Sequence, residues 1–311
     1  MTSDSYAIEL DEVTKSFRSL RALNRVSMRV PEGSVFGYIG PNGAGKTTTL
    51  RILLDLIRPN AGSVRVLGMD PRHDGAAIRA QVGYLPGELT LWPHMLAGDA
   101  LKRLADVRGV TDYTYMHELA ERFALTLHRP IGELSKGNRQ KIGIVQAFMH
   151  HPRLLLLDEP TAGLDPLMQR TFYGLVRETC DRGATILVSS HVLTEVDRIA
   201  HRVGIIRDGE IVAVDDITNL TTTMATVITV HFDRAVQPAQ IADVPGVTVD
   251  PQLDTHELRL QVQDNIPAVL RRLADLGAVG IQAQRGDLEQ LFMQYYGSAD
   301  QAADSTPKEA P

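Results

Sequence analysis

Eight consecutive residues, Gly40-Pro41-Asn42-Gly43-Ala44-Gly45-Lys46-Thr47, have the makings of a phosphate cradle. Glycine at these spacings lets backbone N–H groups converge on an anion with no Cβ in the way. Lys46 can neutralise β- and γ-phosphates, and the Thr47 hydroxyl can ligate Mg²⁺. Thr48 extends the set of candidate nucleotide-binding residues. The pattern G-x-x-x-x-G-K-[ST] is met throughout, and it requires a strand before and a helix after. Further along, Leu154-Leu155-Leu156-Leu157 runs into Asp158-Glu159. Acids at the end of a buried strand are costly unless a cation compensates them. Asp158 is therefore expected to hold Mg²⁺, and Glu159 to polarise a water attacking the γ-phosphate. His191 follows Ser189-Ser190. An imidazole there can hydrogen-bond a γ-phosphate, although position alone describes a capping or core histidine more simply.

The elements that must position these residues can be read from the hydrophobic pattern. Val35–Ile39 is a short buried strand leading into the glycine-rich turn, and Leu50, Leu53, Leu54 and Ile57 mark one face of the helix beyond it. Leu154–Leu157 and Thr185–Ser189 are two more buried strands, with helical spacing over Leu167–Cys180 between them. This alternation predicts an α/β fold with a largely parallel sheet. Residues 96–150 are too long for a loop and predict an inserted helical subdomain. After Asp215 the pattern changes. Ala225–Phe232 and His256–Val262 alternate as strands; Ile266, Val269, Leu270, Leu273 and Leu276 follow helical spacing up to Gly277; Val279–Ala283 suits another strand. Leu288, Leu291, Phe292 and Tyr295 suit a last amphipathic helix. The expected division is a first domain over 1–220, a small α+β domain over 221–297, and a disordered tail over 298–311 that lacks large apolar side chains.

Composition narrows the partners. The 311 residues carry a net charge of −6 with no Lys/Arg run, which argues against nucleic acid. Cys180 is the single cysteine, so no intrachain disulfide can form, and a small buried hydrophobe is its expected role. Residues 1–12 lack the basic-then-apolar order of a signal peptide, and no apolar run approaches the roughly 18–20 residues that span a bilayer.

Between the two nucleotide motifs stands Leu134-Ser135-Lys136-Gly137-Asn138-Arg139-Gln140, which resembles the signature motif of the ABC ATPase family. Ala162-Gly163-Leu164-Asp165 resembles that family's D-loop, and His191 its switch histidine. Phe17 falls where the family has an aromatic that stacks on adenine. The resemblance covers about residues 5–215. Gly83-Tyr84-Leu85-Pro86, the Ser-Lys-Gly-Asn signature and Gly286-Asp287-Leu288-Glu289-Gln290-Leu291-Phe292 are similar to ATP-binding subunits of ABC-2 type exporters, among which drug- and antibiotic-resistance pumps are prominent.

That resemblance implies a P-loop nucleotide-binding domain using ATP and Mg²⁺, paired with a second such domain as a homodimer. Leu134, Ser135, Lys136, Gly137 and Asn138 would then meet the partner's nucleotide, with Asp165 in the D-loop. It also implies separate membrane-spanning permease subunits and a place on the cytoplasmic face of the membrane. Two departures stand out. Lys136 and Asn138 replace the family's usual Gly and Gln, and Gly87 occupies the position of the Q-loop glutamine, for which Glu88 is the candidate substitute at Mg²⁺. The apolar segment 89–96, with Trp92, lies where the family places its groove for the transporter's cytoplasmic helix, and core packing explains it equally well. Other classes fit less well. A ribosome- or chromosome-associated ABC protein would bring paired ATPase domains or long coiled coils, and a small-molecule kinase would lack the signature. An importer shares the same catalytic motifs.

Overall fold

The computed structural model describes residues 5–217, 219, 226–250, 256–263 and 265–284. The chain divides into two compact units, Met1–Asp215 and Asp216–Pro311. The last expected helix, with Leu288 and Phe292, and the expected tail from Ser298 lie outside the described residues.

In the first unit a six-stranded sheet has the order β5-β6-β7-β3-β8-β9: β3 (Val35–Ile39), β5 (Val82–Leu85), β6 (Leu154–Asp158), β7 (Thr185–Ser190), β8 (Arg202–Arg207) and β9 (Glu210–Asp216). Neighbours from β5 through β8 are parallel. Asp208 and Gly209, both at positive φ, turn β8 into β9 as a two-residue hairpin. The leucines of β6 alternate between two cores. Leu155 and Leu157 join one with α5 (Lys136–Phe148) and α6 (Pro166–Asp181); Leu154 and Leu156 join the other with α1 (Lys46–Leu53). Every residue of β6 is buried, as a strand covered on both faces must be.

The second core is closed by a three-stranded antiparallel sheet, β1 (Tyr6–Phe17), β2 (Leu20–Pro31) and β4 (Ala61–Val66), which the hydrophobic pattern does not reveal. Its register shifts around Leu10–Val13 and Val13–Lys15. Glu12 and Arg25 adopt positive φ at the irregularities, and each bulge resets the two-residue period that marks a strand. Helix α2 (Pro71–Gln81) precedes β5. Residues 96–150 are helical as expected: α3 (Ala97–Val107), α4 (Thr114–Arg122), a 3₁₀ turn at Ile131–Glu133, and α5. Ala100, Leu101, Met116 and Leu119 bury the inner faces. Helix α1 is shorter than its apolar spacing suggests: it stops at Leu53, and Ile57 lies beyond it, only partly buried. Cys180 is buried near the end of α6, its thiol donating to Gly33 O.

The second unit is a four-stranded antiparallel sheet ordered β11 (Val247–Val249), β12 (Glu257–Val262), β10 (Thr226–Phe232), β13 (Ala278–Gln284), with α8 (Ile266–Asp275) packed on one face. Ile228, Val230 and Phe232 of β10 and Leu258, Leu260 and Val262 of β12 form its core, as the alternation requires. Helix α8 contributes Val269 and Leu273, while Ile266 and Leu270 are 38% and 41% exposed, so the buried stripe is narrower than the apolar spacing implies. Gly277, at φ 82°, ends this turn. No helix among the described residues is long and apolar enough to cross a membrane.

His150 and His151 follow α5. Burial, reinforced by the Arg108 guanidinium 2.9 Å away, lowers His150 to a pKa of about 4. The unfolded chain therefore binds a proton there below about pH 6.5 that the folded chain refuses until about pH 4. Stability should fall over that interval on acidification, by on the order of 2 kcal/mol after allowance for partial solvation. Urea midpoints of the wild type and His150→Gln at pH 7 and pH 4.5 should reveal it: the variant should lose visibly less. Leu156→Ala should cost about 2–5 kcal/mol, whereas Leu167→Ala, at a side chain 66% exposed, should stay within about 0.5 kcal/mol.

Candidate functional site

Strand β3 ends at Ile39 and the chain enters the glycine-rich turn. Gly45 caps α1 at φ 110°, a conformation that only glycine takes easily, and a Cβ there would lie 2.6 Å from Ala22 O. No side chain caps α1. The amides of its first turn thus keep their affinity for an anion. Lys46, 6% exposed, donates to Gly40 O and, at 3.2 Å, to Pro41 O; its Nζ lies 3.4 Å from Glu159 Oε1. A cavity of about 280 Å³ extends from Phe17 and Leu20 over Pro41–Gly43 and Gly45–Thr48 to Glu159. Ala44 is buried beneath that loop. Phe17, 44% exposed, is thus brought to the same cavity as the cradle, with Lys15 Nζ 5.0 Å from its ring centroid.

Because β7 lies between β3 and β6, the C-terminal ends of all three strands converge. Asp158 pairs in register with Ser189. Its carboxylate is 1% exposed and takes a hydrogen bond on each oxygen: Thr47 Oγ1 donates to Oδ2 at 2.7 Å, and Ser189 Oγ donates to Oδ1. A hydroxyl and a carboxylate oxygen side by side are the hard donors Mg²⁺ takes, together with waters and substrate phosphates. The described residues hold no cluster of three or more His, Cys, Asp or Glu suited to a metal. A cation here would rely on Thr47, Asp158 and the nucleotide itself. Tyr84, raised above its ordinary pKa first by burial and then by the Asp158 charge, borders the same site. A Cβ at Gly87 would sit 3.3 Å from Asp158 Oδ2. Gly87, rather than the exposed Glu88, is the position that faces the carboxylate.

Glu159 takes the left-handed backbone conformation, φ 49°. Its carboxylate lies between Lys46 and His191, whose Nδ1 is 2.7 Å from Oε2. His191 thus stands at the site and not in a core. Two acceptors that sequence inspection missed hold this edge together. Ser189 O accepts the Glu159 amide at 3.1 Å, and Glu195 at the start of α7 (Leu193–Asp197) accepts from Thr161 Oγ1 at 2.6 Å and Ser190 Oγ at 3.1 Å. Neither has a motif signal: Ser189 meets Glu159 across 30 positions, and Glu195 meets Thr161 across 34.

The signature residues face elsewhere. Ser135 caps α5, accepting from the Asn138 amide at 3.3 Å, and is exposed together with Lys136, while Leu134 is buried as an anchor. None of residues 134–138 lines the cradle cavity. Gly137 presses against the D-loop: a Cβ there would approach Gly163 O to 2.4 Å. Asp165 caps α6 through the Leu167 and Met168 amides, both at 3.0 Å.

These features define a P-loop nucleotide-binding domain, and residues 23–162 match the family described as ABC transporter. A Bacillus subtilis protein named as the uncharacterised ABC transporter ATP-binding protein YdbJ is 33% identical over 92% of this chain and 94% of its own. The bacitracin transport ATP-binding protein BcrA of Bacillus licheniformis is 30% identical over 93% of this chain and 90% of its own. The chain belongs to the ABC transporter ATP-binding proteins, and it is an ATPase subunit of that family. Both matches cover more residues than the first unit contains, so they extend into the second. The solved structure of an ATP-binding subunit of an ABC transporter superposes with a TM-score of 0.65 at 28% identity, covering 69% of this chain and 91% of that one. An ATP-binding cassette solved as a dimer with ADP and Pi shares the fold at 22% identity, TM-score 0.62, covering 67% of this chain and 98% of its own.

Gly137→Ala should displace the start of α5 from the D-loop without touching the cradle. Nucleotide affinity, read with a fluorescent ATP analogue, should stay within about threefold, while steady-state ATP turnover should fall by about tenfold or more, a barrier increase of about 1.4 kcal/mol.

Proposed function

We propose that two copies of this chain close head to tail over ATP, and that closure and reopening drive export through separate membrane-spanning permease subunits at the cytoplasmic face of the membrane. The observation that carries this reading is the division of labour in one subunit. Lys46, Thr47, Asp158, Glu159 and His191 gather at one strand edge, while Ser135 and Gly137 stand at an exposed helix start outside that cavity. A triphosphate bound by one copy would be completed by the partial positive charge at the start of α5 in the other, where the Ser135 hydroxyl takes up the Asn138 amide.

In this reading the nucleotide-binding residues are Gly40–Thr48, with Phe17 against the adenine. Mg²⁺, held by Thr47 and Asp158 with Glu88 a further candidate through water, would neutralise charge on the β- and γ-phosphates. Glu159 polarises the attacking water and His191 steadies its carboxylate, and loss of the γ-phosphate removes the charge that joins the two copies. Relatives named for bacitracin transport and as a probable multidrug transporter ATP-binding protein, the latter 32% identical over 68% of this chain and 37% of its own, support export of a drug-like or other lipophilic compound. Trp92, 45% exposed, and Leu96 on segment 89–96 are offered as the permease contact, with Leu89, Leu91 and Met95 anchoring it to the core. The first domain is taken as residues 1–220, and the domain over 221–297 stabilises the dimer or regulates it.

Glu159→Gln should retain ATP binding, lose at least about 99% of turnover, and accumulate as an ATP-bound dimer on gel filtration, because the charge that binds is intact and the group acting on water is neutral. Normal turnover in that variant would refute the role given to Glu159.

A further inference from the structure

Glu159 acts from a backbone conformation that costs a non-glycine residue about 1–2 kcal/mol. Such a turn persists only where its surroundings over-determine it. The amide of Glu159 is held by Ser189, and its carbonyl accepts from the Ala162 amide at 3.2 Å. A third restraint comes from a different element. Gln140, one turn into α5 and 5% exposed, donates through Nε2 to Glu159 O at 3.2 Å and to Pro160 O at 3.0 Å. Both N–H groups of the amide are thereby used on consecutive carbonyls, a bidentate grip that specifies the direction of both peptides. Gln140 reaches neither the cradle cavity nor any ionised group there.

We infer that Gln140 is a positioning residue for ATP hydrolysis. Its amide fixes the left-handed turn that aims the Glu159 carboxylate, and ties that turn to the helix whose first residues follow Ser135. The inference rests on Glu159 being the group that acts on the attacking water. Displacement of α5 when a neighbouring nucleotide meets Ser135 would then move this subunit's own Glu159, because the Gln140 amide joins the two. A misplacement of about 1 Å at a reacting group can cost about a hundredfold in rate.

The test uses the full chain with Mg²⁺-ATP and the variants Gln140→Met, which keeps volume and removes both donors, and Gln140→Asn, which keeps the amide but shortens its reach. Each should lower kcat by about tenfold or more, with KM and the Kd for an ATP analogue within about threefold. A role confined to packing would instead leave kcat of the folded protein unchanged and lower the thermal midpoint alone. Single-turnover hydrolysis in the Glu159→Gln background supplies the second readout. There Gln140→Met should remove no further rate, since groups acting as one unit are not additive. Folded Asn or Met variants with kcat within twofold of wild type, or a Met effect that multiplies in full with Glu159→Gln, would overturn the assignment. If Gln140→Met does not fold, Gln140→Asn carries both measurements. Normal turnover in Glu159→Gln alone would instead sink the underlying reading of Glu159, which separates the two failures.

Discussion

The first unit is organised around one expensive placement, the Asp158 carboxylate at the end of a strand whose residues are all buried. Several kcal/mol stand against an ion in such a position unless partners compensate it. The compensation comes from Thr47 and Ser189, and these two hydroxyls lie on different elements, the start of α1 and the end of β7. Satisfying one carboxylate therefore fixes three chain segments together: the phosphate cradle, the strand carrying the acids, and the strand that leads to His191. Two neutral donors solvate an anion only in part, and the remaining deficit is the electrostatic reason this edge favours a divalent cation and the phosphates that accompany it.

What was legible in the sequence follows from range. The cradle, the acid pair and the apolar strands are contiguous patterns with local physical causes, so eight residues around Lys46 or six ending at Glu159 suffice to show them. The supports are not contiguous. Ser189 reaches Asp158 across 31 positions and Thr161 reaches Glu195 across 34, and a serine, threonine or glutamate carries no sign of which partner it will meet. The same limit applies to architecture. The insertion of β7 between β3 and β6 is a pairing choice that periodicity does not encode. The antiparallel sheet escaped notice because bulges at Glu12 and Arg25 interrupt its alternation. In α8 the spacing identified the helix correctly but overstated its buried stripe: Val269 and Leu273 are buried, whereas Ile266 and Leu270, in the same helical phase, are exposed among the described residues.

The departures from the family's usual motifs acquire a physical meaning in this setting. Gly87 lies beside Asp158 Oδ2 with no side chain, so this position brings no amide to the carboxylate. Water can complete an octahedral Mg²⁺ shell as well as an amide can, because Mg²⁺ gives up its hydration reluctantly. Gly87 thus need not weaken the cation site; what it removes is a covalent link between that site and segment 89–96.

Lys136 presents the converse case. A cation in the first turn of α5 opposes the helix dipole, at a cost of about 0.3–1 kcal/mol when exposed. The cost makes sense if an anion comes to rest there. In the head-to-tail arrangement proposed above, the cradle side supplies Lys46 and the bare start of α1, and the signature side supplies Lys136 and the start of α5. The cradle edge also carries the Asp158 and Glu159 carboxylates, so it is not a purely positive face; in that arrangement a triphosphate would add the negative charge that the Lys136 ammonium attracts. In that arrangement, lysine where the family usually has glycine would add Coulomb attraction to the triphosphate and so strengthen closure with nucleotide bound.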